Sequence, residues 1–362
     1  MKLKDFYSSS YEKARHRFRE AATKIGARQE VHAIKVNNID TNLTIDVAII
    51  GNSDPDWAVV IDSGIHGVEG FFGSAIQLAW LHNISTSGFT HQNGNVVLIH
   101  SLNPYGFEMI RRADENNVDL NRNYLFPESE YSGAPDEYKL LNGFLNPASP
   151  PSTSSDSYLS KLDEYIKKYG LNKLTNVVAG GQYQFPKGIF FGGNGPSQTS
   201  IIVKENLENW IGTAKDVVHV DFHSGLGNFG EYMILLRDSK DSPDYEWYSD
   251  TFGAELLRPE DDHGSVKYKP SGNIGDWALN HFSGRNYKFI APEFGTYHFK
   301  RVLKALRAEN RAHFYCNPDD NRYESAKNEM LECFCPISDA WREPVIERGL
   351  LILEQAIGSN KN

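Results

Sequence analysis

The sequence predicts an α/β fold, a mixed, mostly parallel central sheet with helices on both faces. Four apolar runs carry that prediction: WAVVID (57–62), NVVLIHSLNP (95–104), VVHVDFHSG (217–225) and NYKFIAPEFG (286–295). Each breaks into a polar or glycine-containing loop. Between the first two lies FFGSAIQLAWLH (71–82), which reads as a buried helix. Strands that are apolar throughout belong to sheets covered on both sides, and ligands of such sheets gather just beyond the strand ends.

The remaining segments follow in order. The first thirty residues are charged and helical in pattern, with Phe6, Tyr11, Ala14 and Phe18 near helical spacing. VHAIKV (31–36) and LTIDVAII (43–50) then read as strands. Residues 126–157, rich in Pro, Ser and acidic side chains, read as a flexible loop insertion, because strand-like segments continue on both sides. GGQYQFPKGIFFGGNGPS (180–197) reads as a loop facing a pocket. ISDAWREPVIERGLLILEQAI (337–357) reads as an amphipathic helix with Pro344 as a candidate interruption. There is no internal repeat. One domain over 1–362 is expected, with its core at about 31–300 and a helical extension at about 300–362.

The 362 residues include 37 basic and 47 acidic side chains, a formal net charge of −10. That balance, without a Lys/Arg block, argues against a nucleic-acid partner, which requires a basic surface. No apolar run approaches the roughly 20 residues of a membrane helix. The N-terminus has no apolar secretory stretch, and Cys316, Cys333 and Cys335 are too few and too clustered for a disulfide framework. A cytoplasmic protein without nucleic-acid or membrane partners is expected, its oligomeric state left open.

Four strand-end loops hold polar residues that a buried sheet does not normally place there. In GIHGVEG, His66 and Glu69 have a separation that brings an imidazole and a carboxylate onto one zinc ion. Read alone, the pair is equally a surface histidine near a helix N-terminus that favours acid. In VDFHSG, Asp221 and His223 alternate on one face of a strand end. His223 there is either a third ligand, leaving one position open for water, or a satisfied buried histidine. NPYGFEMIRRADENNVDLNRNY (103–124) gathers Arg111, Arg112 and Arg122 among Asn, Asp and Gly. These arginines read as residues that cannot be core. They either grip a carboxylate or oxyanion, or decorate a solvated loop. Glu293 follows an apolar strand, a position suited to a general base with an elevated pKa.

In chain order, His-x-x-Glu, NP-x-G…R…DLNRN, D-x-HSG and Tyr…SG…DW…Glu resemble the zinc carboxypeptidase superfamily over roughly residues 55–300. HSGLG and EFGT look closest to its uncharacterised bacterial metallopeptidase-like members. The resemblance implies the phosphorylase/hydrolase-like fold of that superfamily and one Zn2+ per chain, bound by His66, Glu69 and His223. It implies that Glu293 is the general base and proton shuttle and that Arg112 stabilises the oxyanion, with Arg111 the nearby alternative. Asn121 and Arg122 match the pair that holds a substrate's terminal carboxylate. Asp119 matches the carboxylate that orients the first zinc histidine. Tyr268 sits where the family has a tyrosine that closes over substrate, and Asp276-Trp277 matches the aligned DW. Tyr105 departs from the usual Asp of NPDG. Gly275 stands where peptidases of this class tune their specificity pocket, so substrate is less determined than chemistry.

The implied activity is zinc-dependent, carboxypeptidase-like hydrolysis of an amide or peptide bond in a small peptide. A deacylase of N-acyl amino acids needs the same residues. A non-catalytic zinc-binding scaffold is the third reading, disfavoured because it needs neither Glu293 nor Arg112. Gly225–Gly230 fits G-x-G-x-x-G, but the following EYMILL reads as a strand where a dinucleotide site needs a helix. No P-loop or G-x-S-x-G elbow occurs. His313, Cys316, Cys333 and Cys335 are spaced irregularly for a structural zinc, so buried free thiols are expected.

Overall fold

The computed structural model describes residues 2–37, 39–89, 93–126, 129–152, 158–260 and 272–359. Eight strands form one sheet: β1 (Arg28–Val36), β2 (Ile39–Gly51), β3 (Trp57–Ser63), β4 (Gly94–His100), β5 (Asp216–Ser224), β6 (Tyr232–Leu236), β7 (Leu257–Arg258) and β8 (Asn286–Phe294). Their spatial order is β1-β2-β4-β3-β5-β8-β6-β7. The four apolar runs form the adjacent strands β4, β3, β5 and β8, paired in parallel. Around them β1, β2 and β6 pair antiparallel, which makes the sheet mixed. Every residue of β3 and β4 is buried, as strands covered on both faces must be.

Twelve helices are assigned among the described residues: α1 (Tyr11–Lys24), α2 (Gly70–Ser87), α3 (Pro104–Glu108), α4 (Asp136–Leu145), α5 (Tyr158–Tyr169), α6 (Leu171–Ala179), α7 (Gln198–Ile211), α8 (Tyr245–Phe252), α9 (Ile274–His281), α10 (Phe299–Tyr315), α11 (Asn321–Phe334) and α12 (Asp339–Gly358). Alternation along the strands divides the core in two. Val59 and Ile61 pack with residues of α1, α2 and α12. Ala58 and Val60 point the other way, towards Val203, Leu207 and Trp210 of α7 and Trp277 of α9. α2 is buried on every side from Gly70 through Leu81, so it is a core helix without a polar face there. Among the described residues, no helix is long and apolar enough to cross a membrane.

Three local expectations meet different outcomes. Residues 126–157 are not loop throughout, because they contain α4. Its Tyr138, Leu141, Phe144 and Leu145 pack with α5, α6, α10 and α11 in a third apolar cluster. The Pro- and Ser-rich flanks obscure that short amphipathic pattern. α12 runs unbroken through Pro344. The ring costs the hydrogen bond to the Ala340 carbonyl, while Trp341, Val345, Ile346, Ile352 and Leu353 hold the helix on the core. Gly225–Gly230 leads into β6, so no helix follows the glycine motif.

Candidate metal centre

The chain leaves β3 at Ser63 and turns at Gly64, whose φ of +65° suits glycine. A Cβ on Gly67 would lie 2.1 Å from the Gly106 backbone, so the loop seats directly on the start of α3. The Gly67 and Val68 N–H groups donate to the carbonyls of Arg112 (3.2 Å) and Arg111 (2.8 Å). The His66–Glu69 turn and the arginine loop are therefore one hydrogen-bonded unit. From the other side, His223 near the end of β5 is the register partner of Glu293 in β8.

His66 Nδ1 lies 3.0 Å from Glu69 Oε1, and His223 Nδ1 lies 3.1 Å from Glu69 Oε2. All three residues are buried, and their ligand atoms lie within 4.8 Å of one another. Among the described residues this is the one group of three or more His, Cys, Asp or Glu able to hold a metal ion. Carboxylates stand behind both rings: Asp221 Oδ2 is 2.7 Å from His223 Nε2, and Asp119 Oδ1 is 3.3 Å from His66 Nε2. An imidazole that gives its Nε2 proton to a carboxylate presents a lone pair at Nδ1. Two such nitrogens converging with a carboxylate are the His2Glu donor set of catalytic zinc sites, so the residues fit the metal.

The electrostatics agree with that fit. Burial opposes the Glu69 carboxylate, but the His66 charge and hydrogen bonds from both imidazoles outweigh it and bring its pKa to about 2. A divalent cation would supply the same positive field and leave both rings neutral. Burial, aided by Glu69, raises Glu293 to about 8 against the pull of His223, the Leu226 N–H and Arg112. Glu293 Oε1 accepts the Leu226 N–H at 2.8 Å. A buried carboxyl poised near neutrality is suited to move protons both ways.

Arg112 adjoins the cluster. Its Nε donates to Asp119 Oδ2 at 2.8 Å, and its Nη1 lies 3.9 Å from Glu69 Oε1. The guanidinium also covers the Phe190 ring at 4.6 Å from its centre. Phe190 belongs to the 180–197 loop, which therefore borders the site.

Arg111 corrects the reading that these arginines cannot be core. It is 1% exposed and turns away from the cluster. Its Nε donates to Glu309 at 2.8 Å and its Nη2 to Asn117 at 2.8 Å. Its main partner comes from α10, far along the chain, which is why local sequence cannot announce it. Arg122 is buried as well, with Nε 3.0 Å from the Ala179 carbonyl. Asn121 accepts the Ile274 N–H at 3.2 Å through Oδ1, and its own N–H meets Asp119 Oδ1 at 3.1 Å. Both residues border the centre through Asp119 while engaging backbone groups.

Tyr268 lies outside the described residues. Asp276 pairs with Arg237 at 2.7 Å, and Trp277 stacks on His281. A Cβ on Gly275 would lie 2.5 Å from the Phe289 ring, so close packing accounts for that glycine. The three cysteines are free thiols. Asp62, His219 and Phe190 have no part in the sequence reading. For the first two a signal exists, since each interrupts an otherwise apolar strand.

The strand order and the His66–Glu69–His223 cluster define an α/β protein with a buried candidate metal centre at the ends of its parallel strands. The structure is similar to bovine thrombin-activatable fibrinolysis inhibitor, solved in complex with tick carboxypeptidase inhibitor, at TM-score 0.53 and 12% identity over 97% of this chain and 96% of that one. Carboxypeptidase A from Helicoverpa armigera gives TM-score 0.47 and 14% identity over 89% of this chain and 73% of its own. A protein from Shewanella amazonensis SB2B with a provisional metallopeptidase assignment gives TM-score 0.44 and 12% identity over 90% and 93%. At these identities the first likeness shows the fold alone. No curated protein matches the chain. Residues 7–348 match the family described as "Protein of unknown function (DUF2817)", and the chain belongs to that family.

Proposed function

We propose that this protein is a zinc-dependent hydrolase of amide bonds, carboxypeptidase-like in its chemistry, acting on a small substrate with a free carboxylate. The observation that carries the reading is the register pairing of His223 with Glu293. It sets a carboxyl of raised pKa beside a buried donor set of His66, Glu69 and His223. His66 Nδ1, the Glu69 carboxylate and His223 Nδ1 would hold the metal. When bound, zinc in such a set polarises a carbonyl and acidifies water at its open position. The Glu293 carboxylate takes a proton from the attacking water and delivers it to the leaving nitrogen. Arg112, held by Asp119 and braced on Phe190, donates hydrogen bonds to the oxyanion that develops as the carbonyl becomes tetrahedral. Asn121 and Arg122 receive the substrate carboxylate, for which Arg122 exchanges its bond to the Ala179 carbonyl.

The test is hydrolysis of peptides and of N-acyl amino acids by the zinc-loaded protein, repeated after chelation. Turnover that needs zinc and a free substrate carboxylate supports the reading. Turnover of N-acyl amino acids alone selects deacylation over peptide hydrolysis. Zinc binding without turnover of either class sinks the enzyme and leaves a scaffold.

A further inference from the structure

Behind His223, away from the metal position, a file of buried polar side chains crosses three strands. Asp62 of β3 and Asp221 of β5 are register partners, and both are 0% exposed. Side chains at partner positions lie side by side on one face. Asp221 Oδ2 meets His223 Nε2 at 2.7 Å, and Asp62 Oδ2 meets His219 Nε2 at 2.8 Å. His219 Nδ1 in turn meets the Tyr287 hydroxyl of β8 at 2.8 Å. The remaining oxygens, Asp62 Oδ1 and Asp221 Oδ1, are buried and have no donor from any other described side chain or backbone group. Register pairing sets the two carboxyls side by side, close enough for the Asp221 charge to oppose ionisation of Asp62. Two buried acceptors so placed require one proton between them, because unpaired buried oxygens and adjacent dry like charges are both costly.

We infer that Asp62 carries that proton and donates it to Asp221, making Asp62 and His219 positioning residues for the metal ligand His223. The donations then run one way along the file. The Tyr287 hydroxyl donates to His219 Nδ1, His219 Nε2–H to Asp62, and the Asp62 acid proton to Asp221. Asp221 is left as the single anion, accepting from Asp62 and from His223 Nε2–H, which aims His223 Nδ1 at the metal position. Two further observations agree. Burial and the adjacent Asp221 hold the Asp62 pKa well above the usual carboxylate range. Burial lowers His219 to about 4, so it is neutral with one donor and one acceptor nitrogen. The other titratable group near the pair, the buried Tyr124, has no hydrogen-bond partner among the described residues and does not supply the missing donor.

This inference rests on the proposed role of His223 as a metal ligand, so its experiment has one arm that needs metal and one that does not. Asparagine mimics a protonated aspartic acid, with one donor and one acceptor. Zinc affinity is measured by chelator competition for the native protein, D62N and D62A. D62N is expected within about threefold of native, and D62A to be weakened by roughly 10- to 100-fold, the usual cost of losing an outer-shell partner. Independently, the infrared difference between native protein and D62N at neutral pH should contain the carbonyl band of a protonated carboxylic acid. Absence of that band, a D62N as weak as D62A, or a D62A as tight as native would each overturn the inference. If D62A does not fold, the infrared comparison of native protein with D62N still decides it. Native protein that binds no zinc while showing the acid band would overturn the metal reading and leave the shared proton standing.

Discussion

Arg111 and Arg112 are neighbours in the chain, yet they enter two buried polar clusters of different kinds. Arg111 meets Glu309 at 2.8 Å, and the same carboxylate accepts from Lys327 Nζ at 2.6 Å, with Asn117 and Asn310 completing the set. Cations there face an anion directly, which closes the set in charge, although Arg111 Nη1 is buried without a hydrogen-bond partner among the described residues. Arg112 instead joins a cluster in which Asp119 and Asp221 stand behind two imidazoles whose Nδ1 atoms converge on Glu69. That set presents lone pairs to a common point. A buried ion cluster whose opposite charges face each other holds the fold in one arrangement, whereas one whose acceptors converge has the donor set that suits a cation from outside.

The comparison is most directly broken at the open cluster. His223→Ala should weaken zinc binding beyond the roughly 100-fold that losing an outer-shell partner costs, and abolish hydrolysis. Zinc content after dialysis measures the first, and undiminished zinc would show that the three residues are not the ligands. Glu293→Gln should slow hydrolysis by about 10²–10⁴ while zinc affinity stays unchanged, since the role proposed for this residue is to move protons and not to hold metal. Equal rates in the two proteins would remove Glu293 from the chemistry.

The closed cluster predicts the reverse pattern. Glu309→Gln leaves Arg111 and Lys327 buried beside no counter-charge and should destabilise the fold by about 3–5 kcal/mol in urea unfolding. Zinc affinity of the folded variant should remain near native. A large loss of affinity with little loss of stability would mean that the two clusters are one.

The smallest effect concerns buried groups outside both pairs of charges. His100 and His219 are completely buried, and burial lowers them to about 3 and about 4. The unfolded chain takes up protons at the ordinary histidine pKa of about 6.5, which the folded protein refuses. The stability these two rings contribute is therefore fully present above that value and is lost as pH drops below it towards the folded values, while Glu293, raised to about 8, contributes the opposite slope over the same interval. Between about pH 7 and about pH 5.5 the two together cost about 2 kcal/mol. Ring proton resonances of His100 and His219 that titrate near the ordinary value of about 6.5 in the folded protein would show that burial does not lower them.

Much of the architecture is legible in particular residues. The apolar runs that become β3, β4, β5 and β8 are continuous because both faces are covered, so composition alone marks them as central strands. His66, Glu69, His223 and Glu293 stand out because polar residues at the ends of such apolar strands are unusual, and the fold brings the first three together. α4 is hidden because its burial depends on packing against α5, α6, α10 and α11, which its local pattern does not show. Arg111 reads as a surface or site residue for the same reason, since its counter-charge is Glu309 of α10. Gly275 reads as a feature of specificity until the Phe289 ring is found against it.

The sequence by itself determined the fold class and the residue types gathered at the strand ends, because strand burial and strand termination are written in local pattern. Only the tertiary structure decided which arginine faces the centre and which carboxylate stands behind which histidine. It also decided that Asp62 lies beside Asp221. Those outcomes depend on contacts between segments far apart in the chain. A charged side chain takes its role from the partner that packing delivers, and its own neighbours in sequence do not reveal that partner.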